Sequence, residues 1–165
     1  MTVAPAQRSR TAILSGAKIV IAEVGSYESN MVDIAARAQV SRATVYNHFA
    51  DKEEMMFSLL ESEILRLADL AKSSPSPKDA LQILSTEISG DRALRKMTET
   101  DPEDIASFVT VGPHPLWATV QTSLINIFGA TNASLVLHWL LGQIASPLTP
   151  AESAQQAEAI ARSLS

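Results

Sequence analysis

The segment that decides the fold spans residues 31–49 and reads MVDIAARAQVSRATVYNHF. Its apolar residues recur three and four positions apart in two short runs, which predicts helices over 31–38 and 42–49. Asn30 and Ser41 precede these runs and can cap them, because their side chains accept hydrogen bonds from the free amides of a first helical turn. Only two residues separate the first helix from the second cap, so the segment predicts a helix-turn-helix.

The two predicted helices have one face for a core and another for a partner. The residues expected between the helices are Ile34, Ala35, Ala38, Val40 and Val45. The second helix exposes Arg42, Thr44, Asn47 and His48, whose polar groups suit base edges and phosphates in a DNA major groove. An ordinary helical hairpin inside a bundle has the same spacing, so the spacing alone leaves both interpretations open.

Apolar spacing of three and four continues outward from this segment and predicts an all-α chain. The expected helices cover residues 8–24, 52–72, 78–89, 91–99, 102–110, 115–128, 132–145 and 151–164, with breaks at 73–77 and 112–115. Gly25 is placed to end the first helix in a left-handed turn, and Asp51 to cap the long one. Asp101 is the expected cap of helix 102–110, and Thr131 or Asn132 that of helix 132–145.

The composition of the chain bounds its class. It has 165 residues, a net charge of −5 and 46% apolar residues, which suffices for one compact unit or for two small ones that share a core. The absence of cysteine excludes disulfides, thiolate zinc sites and cysteine nucleophiles. No apolar run typical of a signal peptide or a membrane span is present, so we expect a soluble, cytoplasmic protein.

Charge is distributed unevenly along the chain. Residues 1–52 carry six Lys or Arg and four Asp or Glu, a net charge of +2, which leaves −7 on the remainder. The acidic total therefore does not exclude an anionic partner such as DNA.

Residues 105–151 contain no Asp, Glu, Lys or Arg, although 19% of the whole chain is charged. A segment of this kind does not suit a solvated surface. We expect helices 115–128 and 132–145 to pack on their own subunit with one side and on a second copy with the other, as a four-helix interface. A purely intramolecular core is the alternative. The expected interface residues are Val120, Ile127, Leu135, His138, Trp139 and Gly142.

Catalytic and metal-binding signatures are missing from the sequence. The three histidines, His48, His114 and His138, do not have ligand spacing, and neither a Ser-His-Asp signature nor a glycine-rich phosphate loop is present. We expect no enzyme activity, no metal and no cofactor. A helical module that binds another protein through the hairpin is the rival hypothesis, and DNA binding that weakens steeply with salt would separate the two.

The stretch ILSGAKIVIAEVGSYESNMVDIAARAQVSRATVYNHFADKEEMM, residues 13–56, resembles the TetR-type family of transcriptional regulators. The likeness is carried by Ala17, Gly25, Asp33-Ile34-Ala35, Ala38, Val40-Ser41, Thr44-Val45-Tyr46, His48-Phe49 and Lys52-Glu53. One departure is Gln39, because the family usually has glycine in the turn. A left-handed backbone there costs a glutamine roughly 1 kcal/mol.

The resemblance implies a three-helix DNA-binding domain over residues 1–50 and a helical ligand-binding and dimerisation domain over residues 51–165. In the first domain, Arg42, Thr44 and Asn47 would face base edges of double-stranded DNA. The residues implied on backbone phosphates are Tyr46, His48 and Lys52. Arg8 and Arg10 could reach DNA as a flexible arm, or belong to a merely solvated terminus.

By the same resemblance the protein is a homodimeric repressor that a small apolar ligand releases from a pseudo-palindromic operator. A ligand-independent regulator is the alternative. The expected pocket residues are Leu67, Leu84, Met97, Phe108, Trp117, Gln121 and Leu124, with His114 as a further polar group. Plain core packing is the competing interpretation for each of them.

Overall fold

The computed structural model describes residues 5–110, 112 and 115–164. Within these ranges the chain forms ten helices and no strand, which confirms the predicted all-α class. The helices are α1 (Pro5–Val24), α2 (Met31–Arg37), α3 (Arg42–His48), α4 (Lys52–Lys72), α5 (Pro77–Gly90), α6 (Arg92–Thr100), α7 (Pro102–Val109), α8 (Pro115–Phe128), α9 (Ala130–Ala145) and α10 (Pro150–Ser163).

Local caps set the bounds of the helix-turn-helix. The Asn30 side chain accepts hydrogen bonds from the amides of Val32 and Asp33, and the Ser41 side chain accepts one from Thr44. Gln39, in the turn between α2 and α3, has a φ of 57°. Both predicted caps are therefore confirmed, and the turn takes the left-handed conformation at its cost of roughly 1 kcal/mol.

The first of two apolar cores holds α1, α2 and α3 together. A Cβ atom on Gly16 of α1 would lie 3.0 Å from the Ala38 amide nitrogen, so only glycine lets α1 and α2 approach this closely. The buried members are Ile13, Leu14, Ala17, Val20, Ile21, Met31, Ile34, Ala35, Val45, Phe49, Met55, Leu59 and Ala93. Because α4 and α6 contribute to this core, it crosses residue 50. The division of the chain at that residue stays a prediction.

The second core lies between α5, α8, α9 and α10, together with the end of α4. Its buried apolar members include Leu81, Leu124, Val136 and Ala157. A polar cluster is buried beside them: the Gln143 Oε1 atom accepts hydrogen bonds from Ser85 at 2.6 Å and from Ser89 at 3.0 Å, and Ser153 donates to the Ser85 hydroxyl at 2.6 Å.

Three local predictions need correction. The first helix begins at Pro5, so Arg8 and Arg10 lie within α1 and not in a flexible arm. Helix α9 begins at Ala130 after Gly129, which has a φ of 82°, and no side chain caps it. Asn132 instead donates to the Phe128 carbonyl at 3.0 Å.

The third correction concerns Asp101. It occupies the N-cap position of α7 but makes no capping hydrogen bond, because its carboxylate binds elsewhere in the fold. The predicted role of His114 lies outside the described residues.

No single helix in the described part of the chain is both long and apolar enough to cross a membrane. Helices α8 and α9 reach that length and apolarity only as a pair, and the pair is bent by 119°.

Candidate nucleic-acid interface

Helix α3 presents a polar face to solvent and an apolar face to the first core. Val45 and the following Phe49 are buried, whereas Arg42, Tyr46 and Asn47 are exposed. Arg42 and Tyr46 lie four residues apart, about one turn, so their side chains share one face of the helix, and Asn47 lies beside Tyr46. The structure thus leaves α3 free to enter a major groove, as a recognition helix does.

The remaining predicted contact residues on α3 are less exposed. Thr44 is half-buried, and its hydroxyl lies 2.8 Å from the Ser41 hydroxyl at the helix start. His48 is also half-buried, with its ring centroid 6.2 Å from that of Phe49. Ala43 also lies on the exposed face of α3. It was not predicted as a contact residue from the sequence, because that prediction rested on polar side chains. Its methyl group is the kind of apolar contact that reads a thymine methyl.

Arg10 of α1 adds positive charge near the end of α3. Its guanidinium carbon lies 4.9 Å from the centroid of the Phe49 ring, within the range of a cation–π contact. The basic group is therefore held in a defined position by the helix-turn-helix core.

Lys52, the first residue of α4, has partners that the sequence did not indicate. Its ammonium group donates to three main-chain carbonyls of the loop between α1 and α2: to Ser26 at 2.8 Å, to Tyr27 at 3.0 Å and to Ser29 at 2.9 Å. An ammonium group has three N–H donors, so this arrangement uses all of them. All three ammonium donors are thus engaged in this conformation, and the phosphate contact implied for Lys52 stays a prediction.

The amide side of the same loop binds the corner between α6 and α7. The Asp101 carboxylate accepts hydrogen bonds from the amides of Ser26 at 2.9 Å and Tyr27 at 3.2 Å, and from the Thr100 hydroxyl at 2.7 Å. Burial by itself would raise the pKa of Asp101, but these hydrogen bonds outweigh it and lower the pKa. Asp104 accepts a further hydrogen bond, at 2.6 Å, from the Ser26 hydroxyl.

The opposite end of α6 is also attached to α1. Asp91 caps α6 by accepting from the amides of Ala93 and Leu94, and its other oxygen lies 2.7 Å from the ammonium group of Lys18. Burial by itself lowers the pKa of Lys18, but Asp91 and Glu63 outweigh this effect and raise it. Helix α6 is thus attached to α1 at its start and to the loop between α1 and α2 at its end.

The seven predicted pocket residues do not surround one cavity. Leu84 and Leu124 are buried in the second core and Leu67 packs against it, whereas Met97 packs against the first core. Gln121 is exposed. The Phe108 and Trp117 rings stack with their centroids 6.1 Å apart. In this conformation Met97 faces the first core and Gln121 faces solvent, and the pocket assignment of the seven residues stays a prediction.

Two concavities in the described part of the chain lie along α1. The first is an open groove of about 410 Å³ between α1, α4, α5 and α6, and charged residues including Lys18, Arg66 and Glu87 line it. The second is lined by α1 and α2 residues including Glu23, Asp33 and Arg37. Neither is apolar and enclosed, as a pocket for a small apolar ligand would be.

No group of three or more metal-binding side chains occurs among the residues that the structure describes. The site is instead a helix, α3, with an exposed polar face, held on a packed three-helix core.

Comparison with known proteins agrees with that geometry. The family model described as "Bacterial regulatory proteins, tetR family" matches residues 13–59, which span α1 to α3 and the start of α4. Residues 13–59 therefore have the sequence pattern of the tetR family. The match ends within α4, so the tetR-family pattern covers the DNA-binding half and leaves α5 to α10 outside it.

Two curated relatives share this part of the chain. The HTH-type transcriptional repressor KstR of Rhodococcus jostii (strain RHA1) is 30% identical over 94 residues, which are 55% of this chain and 43% of the relative. The Fatty acid metabolism regulator protein of Bacillus subtilis (strain 168) is 29% identical over 97 residues, 54% of this chain and 50% of the relative. The aligned part thus spans about half of the relatives' length.

Solved structures share the whole helical architecture at low identity. The regulator FadR from Bacillus subtilis, solved in complex with stearoyl-CoA, has a TM-score of 0.60 at 18% identity and covers 93% of this chain and 96% of its own. The TetR family repressor AlkX from Dietzia sp. strain DQ12-45-1b, implicated in biodegradation of n-alkanes, has a TM-score of 0.63 at 19% identity, and the match covers 94% of each chain. The dihydroxyacetone kinase operon activator DhaS has a TM-score of 0.68 at 14% identity, and the match again covers 94% of each chain. These likenesses show that the tetR-family fold extends to α10.

Proposed function

We propose that this protein is a sequence-specific DNA-binding repressor of transcription that acts as a homodimer. The observation that carries the proposal is the exposed polar face of α3, with Arg42 and Asn47 pointing away from the core of a tetR-family domain. In the proposed complex Arg42, Thr44 and Asn47 read base edges, and Tyr46 and His48 contact phosphates. The named relatives of the chain are regulators of transcription, which supports a regulator over an enzyme.

The surface of α8 and α9 supports the dimer. Leu135 is 50% exposed and Ile125 is 44% exposed, on helices without a charged residue. Of the six predicted interface residues, Leu135, His138 and Gly142 are exposed along one face of α9. Val120, Ile127 and Trp139 are half-buried and pack partly on the second core. The outward face of α9 is therefore the proposed centre of a four-helix interface, which places two copies of α3 on successive turns of DNA.

The test is binding to operator fragments selected from genomic DNA, measured by fluorescence anisotropy over a range of salt. We expect tight binding to a pseudo-palindrome and a linear fall of log affinity with log salt. Asn47→Ala should cost roughly 1–3 kcal/mol on the operator and relax the preference at one base pair of each half-site. Equal losses on operator and random duplex would show that Asn47 reads no base, and absence of any salt-dependent binding would favour the protein-interaction module.

We further propose that a ligand with a long apolar chain releases the repressor from DNA. Two similarities support this class: FadR was solved with stearoyl-CoA, and AlkX is implicated in n-alkane degradation. The regulatory half has the apolar side chains for such a ligand in its second core. Since that core is packed in this conformation, the ligand must bind more tightly to an opened conformation with the two α3 helices at the wrong separation.

Stearoyl-CoA is the probe, with coenzyme A alone as the matched control. We expect stearoyl-CoA to raise the unfolding temperature and to weaken operator binding, and coenzyme A to do neither. If both compounds act equally, the apolar chain is not what the protein recognises. If neither stabilises the protein, the ligand-independent regulator becomes the better description.

A further inference from the structure

We propose that Lys52 and Asp101 are positioning residues for DNA binding. They hold the loop 25–29 between them and thereby fix the orientation of the helix-turn-helix relative to the regulatory half. This inference rests on the proposed DNA-binding function, and it replaces the phosphate contact that the family resemblance implied for Lys52.

The loop is held by opposite charges on its two sides. The Lys52 ammonium group binds three of its carbonyls at 2.8–3.0 Å, and the Asp101 carboxylate binds two of its amides at 2.9 and 3.2 Å. Hydrogen bonds to charged groups are roughly twice as strong as neutral ones. These five bonds, on three of the five residues of the loop, leave it little freedom to move relative to either neighbour.

One peptide unit connects the two charged groups directly. The carbonyl of Ser26 accepts from Lys52, and the next amide, that of Tyr27, donates to Asp101. In a trans peptide the C=O and N–H groups point in opposite directions, so this unit lies between the cation and the anion with its dipole aligned. Hydrogen bonds in such a chain polarise one another, and removal of either charge should weaken the other contact.

Three elements meet at this loop: the α6–α7 corner, the start of α4 and the start of α2. Asp101 belongs to the α6–α7 corner, which reaches back over a separation of 75 residues. Lys52 begins α4, and the loop itself leads through Asn30 into α2. Gly25 makes the approach possible, because its φ is +90° and any Cβ atom there would collide with the Thr100 hydroxyl and the Asp101 carboxylate. A shift of the α6–α7 corner is therefore passed to both ends of the helix-turn-helix.

The decisive variant is Lys52→Arg, measured on operator and on random duplex over a range of salt. Arginine keeps the positive charge and binds phosphate at least as well as lysine, but its planar fork cannot place three N–H groups on three carbonyls of one turn. As a positioning residue, Lys52→Arg should weaken operator binding about tenfold, leave random-duplex binding unchanged and leave the salt slope unchanged. Asp101→Asn should have the same three effects, although it lies outside the proposed DNA surface.

Two further variants serve as controls. Arg42→Met removes a proposed base contact from each protomer, so it should weaken operator binding more than random-duplex binding. Lys72→Met removes an exposed cation at the far end of α4 and should change neither affinity nor slope. Circular dichroism at each salt concentration checks that every variant remains folded.

A second measurement tests the junction without DNA. If the Ser26–Tyr27 peptide couples the two charges, the unfolding temperature of the double variant Lys52→Met with Asp101→Asn should fall by less than the sum of the two single falls. Additive falls, or Lys52→Arg binding operator as well as the wild type, would overturn the proposal. If the wild type bound no DNA at all, the proposed function would fail, whereas this thermal measurement would still decide whether the junction is coupled.

Discussion

At the scale of single residues, Gly25 has the most demanding position. Its φ of +90° lies in the region that favours glycine, and the Thr100 and Asp101 side chains occupy the space where a Cβ atom would stand. A glycine is therefore needed here for two independent reasons, one in the backbone and one in the packing of α6 against α1.

Gly25→Ala should lower the free energy of unfolding by at least about 1–2 kcal/mol from the backbone alone, and by more because the Asp101 contacts must open. Urea unfolding followed by circular dichroism measures the loss. Gly90→Ala is the matched control, because nothing lies within 4 Å of a Cβ atom at that position. It should change stability by less than about 1 kcal/mol. Equal effects of the two substitutions would contradict the close approach at Gly25.

The lowered pKa of Asp101 also predicts how the free energy of unfolding depends on pH. Its pKa in the folded protein is lowered, below the value of about 3.9 expected for an unfolded chain. A lowered pKa means that the carboxylate contributes stability above pH 4 and loses it as the pH falls further, through the folded-state value. Acid unfolding of the wild type should therefore be steeper below about pH 4 than that of Asp101→Asn.

Glu152 serves as the internal reference for that titration. Hydrogen bonds from the Thr149 hydroxyl and amide lower its pKa as well, and this exposed capping group is present in both proteins. If wild type and Asp101→Asn lose stability in parallel on acidification, the Asp101 contacts to the loop do not carry the acid sensitivity.

At the scale of elements, a buried polar cluster fixes how α5, α9 and α10 pack together. Gln143 of α9 is 3% exposed and accepts hydrogen bonds from two serines of α5, one of which also accepts from Ser153 of α10. Buried polar groups with satisfied hydrogen bonds specify one arrangement of helices, because any shift leaves a donor without an acceptor. The cluster therefore sets the register of three helices in the regulatory half.

Gln143→Ala should lower the free energy of unfolding by about 2 kcal/mol or more, because it leaves the Ser85 and Ser89 hydroxyls buried with one acceptor fewer and opens a cavity. Gln155→Ala on the exposed side of α10 is the control and should change stability by less than about 0.5 kcal/mol. Equilibrium urea unfolding distinguishes them. Similar small losses in both variants would mean that the cluster is not what holds α9 in register.

At the scale of the whole molecule, the proposed dimer follows from an apolar, uncharged surface that the single chain leaves exposed. Leu135→Glu places a charge in the centre of that surface, which in a dimer costs far more than an ordinary surface substitution. We expect sedimentation velocity at micromolar concentration to show dimers for the wild type and monomers for Leu135→Glu, with operator binding lost as a consequence.

Leu65→Glu provides the control for that experiment. Leu65 is 48% exposed, almost the same fraction as Leu135. It belongs to α4 and is not part of the interface proposed for α8 and α9. It should leave the dimer and operator binding intact. A monomeric wild type, or dissociation by both substitutions alike, would contradict an interface centred on α9.

Much of the fold could be predicted because its signals are local. Asn30 and Ser41 cap the helices that follow them, and Gln39 takes the left-handed turn between α2 and α3. The bounds of α2, α3, α4 and α8 follow from apolar periodicity and from caps within a few residues of each other. Such interactions depend on neighbouring residues alone, so they can be predicted from the amino-acid sequence.

The proposed ligand site could not be predicted in the same way. Apolar periodicity identifies Leu84, Met97 and Leu124 as inward-facing, but it does not say which core each residue enters. The structure separates Met97 from the other two, because Met97 and Ala93 of α6 pack in the first core. Periodicity reports only that a face is buried, whereas the partner of that face depends on how distant helices assemble.

The sequence by itself determined the helical elements, the helix-turn-helix and the uncharged surface of the second half. Only the tertiary structure decided the contacts of Asp101 and Lys52. Asp101 is the expected cap of α7 by its position, and Lys52 the expected phosphate contact by resemblance. Folding brings a loop 75 residues away in sequence to Asp101, and its main-chain amides and carbonyls satisfy both charges. Every residue of the loop has a main-chain carbonyl and amide, so the sequence pattern does not indicate which of them Lys52 and Asp101 bind. This junction can therefore be recognised only in the folded chain.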